Sequence, residues 1–290
     1  MITSSDIIAS LVVAGLYVAL FAVAEIWRRK GSPQVETTRK LVHFGGGMVA
    51  LSFPYIFQSH WPVLIMAVLF TLLLIVARRS SLLQSVQNVE RSTIGEIVYP
   101  SAIYLVLFLD SLDDRFQYYA IAVLVLAIAD AVAGIIGSEI GHVEYRVNGD
   151  RKSLEGSATF FIITFLIIAA ALGAAGEKTV VGIVAVALLA SLVLTVLEAV
   201  SPRGFDNLTL PIGTWCVLGI IVHYPWGYLA AGSAILLAGL FIVWRAMAYR
   251  YPEYPASIML LGMLDYEFLL RYHSIKPEDI AGNGDDDEQH

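Results

Sequence analysis

Four groups of polar residues interrupt an otherwise apolar sequence, at 39–43, 91–96, 130–156 and 198–207. Lysine and arginine neutralise phosphate oxygens, hydroxyl groups and backbone amides at the start of a helix bind them, and carboxylates hold a divalent cation. Together these residue types are typical of a nucleoside triphosphate site. The glycine and lysine spacing of a Walker loop is absent, so the site is of a different kind.

The third group contains a carboxylate followed by regularly spaced glycines. Asp130, Gly134, Gly137 and Gly141 fall on one face of a helix, because each residue turns the helix by about 100°. Small residues at this spacing also let two membrane helices pack closely, so the glycines alone favour packing. A carboxylate inside a membrane helix is costly without a partner or a function. Asp130 therefore favours a binding surface, and we expect a bare glycine strip against which a magnesium-bound nucleotide docks.

A polar segment then leads into the next apolar run. Lys152, Ser153, Glu155 and Gly156 combine a cation, a hydroxyl, a carboxylate and a helix start, as phosphate binding requires. An ordinary basic loop beside the membrane would have a similar composition. The neighbouring glycine strip favours the phosphate site.

The remaining candidates lie at 39–43 and 198–207. Glu198, Asp206 and Asn207 could ligate a metal or activate a hydroxyl, while Asp206 and Asn207 could equally cap a helix. Lys40 and His43 are candidates for contacts with the nucleotide, and for His43 a role in helix packing is as plausible.

The composition indicates what must position these residues. Of 290 residues, 58% are apolar and 15% are charged, and the mean hydropathy is +0.73, which excludes a water-soluble enzyme of this size. Continuous apolar runs favour helices over a membrane barrel. We predict an all-α polytopic transmembrane bundle of about nine spans, at 6–27, 41–58, 62–77, 97–110, 117–138, 157–174, 179–199, 211–224 and 228–246.

The basic residues predict the orientation of the bundle. Under the nine-span assignment, all of the 18 lysine and arginine residues except Arg115 and Lys178 fall on one side. Positive charge is retained in the cytoplasm, so the amino terminus is expected outside and the carboxyl terminus in the cytoplasm. All four polar groups then face the cytoplasm.

We divide the chain into a membrane catalytic domain, 1–246, and a cytoplasmic tail, 247–290. The tail contains a mixed apolar and charged stretch at 257–272, typical of an amphipathic helix, and ends in an acidic run expected to be disordered. The single cysteine, Cys216, excludes an internal disulfide and a cysteine-based metal site. No feature of the sequence indicates binding to nucleic acid.

Five motifs carry a family resemblance. The runs RKLVHFGGG (39–47), STIGEIVYP (92–100), DAVAGIIGSEIG (130–141), KSLEGSATFF (152–161) and EAVSPRGFDNLTLP (198–211) resemble the dolichol kinase and phytol kinase family, which includes CTP-dependent diacylglycerol kinases. The resemblance covers about 40–220, and the aspartate–glycine run followed by KSLEGS is its most specific part.

The resemblance implies an integral membrane kinase that transfers the terminal phosphate of CTP, or of another nucleoside triphosphate, to the hydroxyl of an isoprenoid alcohol such as phytol or a polyprenol. Mg²⁺ is the implied cofactor, and the lipid alcohol, the nucleotide and the bilayer are the implied partners. The residues assigned to catalysis are Asp130, Lys152 and Glu198. The residues assigned to the metal are Asp130, Glu155 and Asp206. The residues assigned to the nucleotide are Lys40, His43, Gly134, Gly137, Gly141, Ser153, Glu155, Gly156 and Asn207.

Other activities fit parts of this pattern. A diacylglycerol kinase would use the same chemistry, and a phosphatidate cytidylyltransferase would release pyrophosphate rather than CDP. An ion-coupled transporter could use Asp130 and Glu198 as ion sites. A transporter also needs carboxylates that are reachable from both sides, and the outer-side polar residues form no basic counterpart to these sites.

Overall fold

The computed structural model describes residues 2–31, 35–80, 95–112, 116–147, 150–176, 179–201 and 204–223. The elements in these ranges follow the chain in this order: α1 (Ser4–Gly31), α2 (Val35–Ala50), α3 (Phe53–Ile56), α4 (Trp61–Ser80), α5 (Gly95–Ser111), α6 (Phe116–Leu124), a π-helical turn (Val125–Asp130), α7 (Ala131–Glu139), β1 (Glu144–Val147), β2 (Asp150–Ser153), α8 (Leu154–Ala175), α9 (Val180–Val200) and α10 (Asp206–His223). Long apolar helices satisfy their backbone hydrogen bonds internally, as lipid requires.

The continuous helix formed by α6, the π-helical turn and α7 lies at the centre of the bundle. It packs against α2, α8 and α10, while α9 packs on α8, and α1 packs on α2 and α4. Nearly all side chains from Tyr118 to Ala129 are buried, whereas α1 exposes most of its apolar side chains. The neighbouring helices therefore screen the central helix, and a polar group on it lies inside protein rather than in lipid.

The predicted helical membrane bundle is confirmed in its class. Four helices are long and apolar enough to cross a membrane, namely Ser4–Gly31, Tyr118–Glu139, Leu154–Ala175 and Val180–Val200. Shorter apolar stretches occupy Trp61–Val76 and Asp206–Val222. The count of nine spans and the orientation stay predictions. The ninth span, 228–246, and the tail domain, 247–290, lie outside the described residues.

The second predicted span, 41–58, is interrupted in the structure. α2 ends at Ala50, and the short helix α3 begins at Phe53 with Pro54 in its first turn. Proline lacks a backbone N–H and fits the first turn of a helix better than its interior, so the chain breaks here. The Tyr119 hydroxyl donates a hydrogen bond to the Ala50 carbonyl at 2.8 Å and so satisfies one of the free carbonyls at the end of α2.

A small hairpin departs from the all-α prediction. β1 and β2 are antiparallel, with Glu144 opposite Ser153 and Val147 opposite Asp150. Tyr145 and Val147 alternate with exposed residues and pack against Ala199 of α9. The polar segment before α8 is therefore partly a β-hairpin held on the end of α9 by an apolar contact.

We expect Tyr119→Phe to lower the free energy of unfolding by about 1–3 kcal/mol, because the buried Ala50 carbonyl would lose its donor. Denaturation in detergent measures the change. Tyr55→Phe is the matched control, since Tyr55 is 81% exposed. Equal effects of the two substitutions would contradict a role for the hydrogen bond.

Candidate active site

A buried ion pair joins α2 to the central helix. Lys40 Nζ lies 2.6 Å from Asp130 Oδ2 and also donates to the Asp130 backbone carbonyl at 3.2 Å. The two side chains are only 10% and 8% exposed. Desolvating two charges is costly even when they are paired, so such a pair is weak evidence for stability and is instead common where a charge is needed for function.

The local backbone places Asp130 in this position. Asp130 is the last residue of the π-helical turn, Val125–Asp130, which interrupts an otherwise regular helix. Single π-helical turns are rare and occur frequently at functional sites. The sequence VLAIAD carries no visible signal for this turn, and the prediction of a regular helix over 117–138 missed it.

A second ion pair lies at the junction of the hairpin and α9. Lys152 Nζ lies 2.6 Å from Glu198 Oε1 and donates to the Glu198 carbonyl as well. Burial lowers the pKa of Lys152, but the charges of Glu198 and Asp206 outweigh burial, and the net effect is a raised pKa. Glu198 Oε2 is buried and has no hydrogen-bond partner among the described residues. One oxygen of this carboxylate is therefore available to a ligand.

The charges of both ion pairs act on the Asp206 carboxyl. Burial raises the pKa of the Asp206 carboxyl to about 6, the charges of Asp130 and Glu198 act in the same direction, and Lys152 and Lys40 oppose them. Because both pairs act on Asp206, the two lysines and three carboxylates form one charged cluster at the end of the bundle where α10 begins.

Asn207 connects this cluster to α5. Its side chain packs so closely against Gly95, the first residue of α5, that a Cβ at position 95 would overlap the Asn207 amide. Glycine at position 95 thus lets the start of α5 approach the start of α10. The sequence assigned Asn207 to the nucleotide, and the structure gives it this packing contact.

In the structure, neighbouring residues occupy the space beside the glycines that we expected to form a bare strip. A Cβ at Gly134 would lie 2.7 Å from Cε of Lys40, and one at Gly137 would lie 2.9 Å from Oγ of Ser153 and 3.4 Å from Cα of Gly156. The expectation of an open strip is therefore wrong, because Lys40 and the start of α8 cover it. At Gly141 the same overlap with Ser153 occurs, at 2.6 Å from its Cβ. Binding of a nucleotide by these glycines stays a prediction.

Two residues assigned to ligands make structural contacts, and their roles toward ligands stay predictions. Ser153 caps α8, since its hydroxyl oxygen accepts the Gly156 N–H at 3.1 Å. Glu155 Oε1 accepts the backbone N–H groups of His142 and Val143 at 2.8 and 3.2 Å. These contacts fix the connection between α7 and β1. The assignment of Glu155 to a metal is untested, and its occupied oxygen argues for a positioning role.

The described residues contain no group of three or more histidine, cysteine or acidic side chains arranged to hold a metal. Mg²⁺ commonly binds only one or two carboxylates and completes its shell with water and substrate phosphates. Asp206 and the free oxygen of Glu198 fit that requirement in their chemistry.

An apolar cavity of about 200 Å³ opens beside the charged cluster. Its walls come from α1, α2, α3, α4, α5 and the first turn of α10. Most of its lining is apolar, and its four other lining residues are Arg39, His43, Glu96 and Asn207. The His43 ring lies 4.2 Å from the Tyr99 ring, and its buried Nε2 has no hydrogen-bond partner among the described residues. His43 thus lines the cavity from α2, the helix that also carries Lys40 of the charged cluster.

The structure brings together six residues that the sequence singled out: Lys40, Asp130, Lys152, Glu198, Asp206 and Asn207. Glu96 reaches the cavity rather than the cluster. The remainder of the second polar group, 91–94, lies outside the described residues. Sequence reasoning missed the cavity, and the aromatic residues of α1 and α4 that line it are indistinguishable in sequence from lipid-facing residues.

Comparison with known proteins bears on the family of the chain. The fold and the buried polar site define an integral membrane protein. A phytol kinase from Synechocystis sp. is 32% identical over 199 residues, which cover 68% of this chain and 84% of that protein. No family model and no solved structure matches the chain. At this identity and coverage the chain belongs to the phytol kinase family, as the resemblance of its motifs predicted.

We expect Lys40→Met and Asp130→Asn each to lower the free energy of unfolding by about 3–5 kcal/mol, because each leaves a buried charge without its partner. The double substitution Lys40→Met with Asp130→Leu should recover much of this loss. Denaturation in detergent measures all three variants.

Arg29→Met provides the control for this series. Arg29 pairs with Glu25 at 2.9 Å, but its side chain is 71% exposed, so its loss should cost about 0–1 kcal/mol. If Lys40→Met were no more destabilising than Arg29→Met, the interpretation of a buried, desolvated pair would be wrong.

Proposed function

We propose that this protein is a membrane kinase that transfers the terminal phosphate of CTP, or of another nucleoside triphosphate, to the hydroxyl of an isoprenoid alcohol of the phytol type. The observation that carries the proposal is the adjacency of two lysine–carboxylate pairs and an apolar cavity at one end of the helix bundle. The relationship to a phytol kinase supports the reaction class.

Phosphoryl transfer depends mainly on positioning and on neutralising charge, with little covalent participation by the protein. Lys40 and Lys152 supply two cations that are already desolvated and held at fixed places by their carboxylate partners. When a triphosphate binds, its oxygens compete with Asp130 and Glu198 for these ammonium groups. The lysines then bind phosphate. Asp130 and Glu198 lose their ion-pair partners and become available to accept a proton or to bind a metal ion.

In the proposed reaction the alcohol oxygen attacks the terminal phosphorus, and the bond from that phosphorus to the bridging oxygen breaks. The nucleoside diphosphate leaves, and the hydroxyl proton passes to a carboxylate. We assign the proton to Asp130 Oδ2, because its ion-pair partner Lys40 belongs to α2, the helix whose His43 lines the apolar cavity. Release of Lys40 to the phosphate makes Asp130 a stronger base at the moment of transfer.

Glu198 and Asp206 would hold Mg²⁺ with the phosphates. The bound ion would neutralise charge on the phosphate oxygens. Glu198 Oε2 is a buried oxygen without a partner among the described residues, and the charged form of Asp206 is disfavoured by burial and by its acidic neighbours. A bound cation would relieve both conditions.

We expect Asp130→Asn to reduce kcat by roughly 10²–10⁴-fold, the usual contribution of a positioned acid or base. Lys152→Ala should also reduce transfer strongly. The assay uses purified protein in detergent with γ-labelled CTP, Mg²⁺ and a panel of lipid alcohols. Arg146→Ala is the matched control, since it removes an exposed cation from the same hairpin and should retain activity.

The controls decide how a loss is interpreted. Each variant is compared with the parent protein for thermal stability, so that unfolding is recognised. Near-normal transfer by both Asp130→Asn and Lys152→Ala would show that the site has been misplaced. Label in none of the lipid alcohols would count against the kinase itself.

The products distinguish a kinase from a nucleotidyl transferase. We expect one CDP for each lipid phosphate formed, because the bond next to the terminal phosphate breaks. Release of pyrophosphate from α-labelled CTP, with the label retained in lipid, would instead assign the reaction of a cytidylyltransferase. Competition of unlabelled ATP and UTP against labelled CTP measures the choice of nucleotide.

A further inference from the structure

The apolar cavity has a polar end and an apolar end. Glu96 of α5 and Asn207 of α10 lie in the first turns of their helices, and Arg39 lies in the second turn of α2, at the same end of the bundle as the charged cluster; His43 lies one turn further along α2. Phe53 and Val63 line the opposite end, where α3 and α4 begin. The cavity therefore runs along the helices rather than across them.

We propose that this cavity holds the hydrocarbon chain of the alcohol substrate, with the hydroxyl at His43 and with Phe53 and Val63 limiting the length of the chain. The inference rests on the proposed function. It adds the place where the lipid binds and the residues that select the length of its chain. A nucleotide is a poor occupant of the same space, because its phosphates would lie against apolar walls without partners.

The dimensions of the cavity favour a chain of limited length. Its lining on α4 extends from Val63 to Leu74, eleven steps along the helix, or about 16.5 Å at about 1.5 Å for each step. Each methylene buried against such a wall strengthens binding by about fourfold. A substrate that fills the cavity would therefore bind far better than a short one, while a longer chain would have to leave through the wall.

The polar end matches one hydroxyl. His43 Nε2 is buried and lacks a hydrogen-bond partner among the described residues, and a buried polar atom without a partner is costly. An alcohol can supply that partner. The Tyr99 ring packs on His43 and its hydroxyl donates to the His43 carbonyl at 3.2 Å, so the imidazole is held in place by its neighbours.

Two aromatic contacts support the wall between α1 and α4. The Tyr17 and Phe70 rings lie 5.0 Å apart, and the Tyr17 hydroxyl donates to the Gly46 carbonyl at 2.9 Å. Phe21 stacks on Phe70 at 5.9 Å. These contacts join α1, α2 and α4 around the cavity, so its shape is set by packed side chains and not by lipid.

The first test changes the apolar end. Ala67 is buried and lines the cavity, whereas Val68, the next residue on α4, is 49% exposed and does not line it. We expect Ala67→Phe to lower kcat/KM by at least tenfold for an alcohol of four isoprene units and by less than threefold for one of two units. Val68→Phe should leave both values unchanged. An unchanged chain-length profile in Ala67→Phe, or an equal loss for both alcohols with the fold intact, would overturn the inference.

The second test does not depend on phosphoryl transfer. A four-unit alcohol that carries a diazirine at its hydrocarbon end is irradiated with the full chain in detergent, and the labelled residues are mapped by mass spectrometry. We expect label near Phe53, Val63 or Met66, and a loss of that label in Ala67→Phe but not in Val68→Phe. Label confined to other surfaces would overturn the inference even if the protein is a kinase. Label in the cavity without any transfer would support the chain site and contradict the proposed function.

Discussion

The buried contact between Lys40 and Asp130 constrains the rest of the structure. Two charges removed from water must stay within hydrogen-bond distance, because either one alone would be strongly unfavourable in a bundle of apolar helices. The contact therefore fixes the position of α2 against the central helix. It also explains Gly134, whose missing side chain leaves the space that Lys40 occupies. The second pair, Lys152 with Glu198, imposes the same condition on the hairpin and the end of α9.

Some residues around the site hold its charged side chains in place, and others cover the site with apolar surface. The hairpin carries Lys152 to α9, and its Tyr145 and Val147 cover that junction with apolar surface. The Ser153 cap and the amide contacts of Glu155 hold the hairpin at the start of α8. In a region of low dielectric each of these charges acts more strongly on its neighbours than it would in water. In the proposed reaction, these scaffold residues would support the charged groups without contacting the substrate.

The sequence predicted the membrane class, most helix positions and the residues of the charged cluster. It could not predict how those residues pair, since Lys40 and Asp130 are 90 residues apart and Lys152 and Glu198 are 46 apart. The glycine spacing was misinterpreted because it has two physical meanings, and close packing prevails here. The cavity was missed because Phe70 or Met66 has the same apolar character whether it faces lipid or a ligand. The assignment of His43 to the nucleotide stays a prediction, and its surroundings could not be inferred from its neighbours in the chain.

The π-helical turn has a consequence for the register of the central helix. A π-helical turn accommodates one more residue than an α-helical turn, and one residue of helix corresponds to a rotation of about 100°. Residues of α6 and α7 that face the same direction are therefore shifted by one position relative to the spacing of an uninterrupted α-helix. α6 can direct its large side chains, such as Tyr118 and Tyr119, into the core, while Asp130 at the end of the π-helical turn faces Lys40 of α2 and the glycines of α7 face α2 and α8. A helical periodicity calculated over α6 and α7 as one α-helix would therefore combine two segments whose buried faces differ in register by one residue.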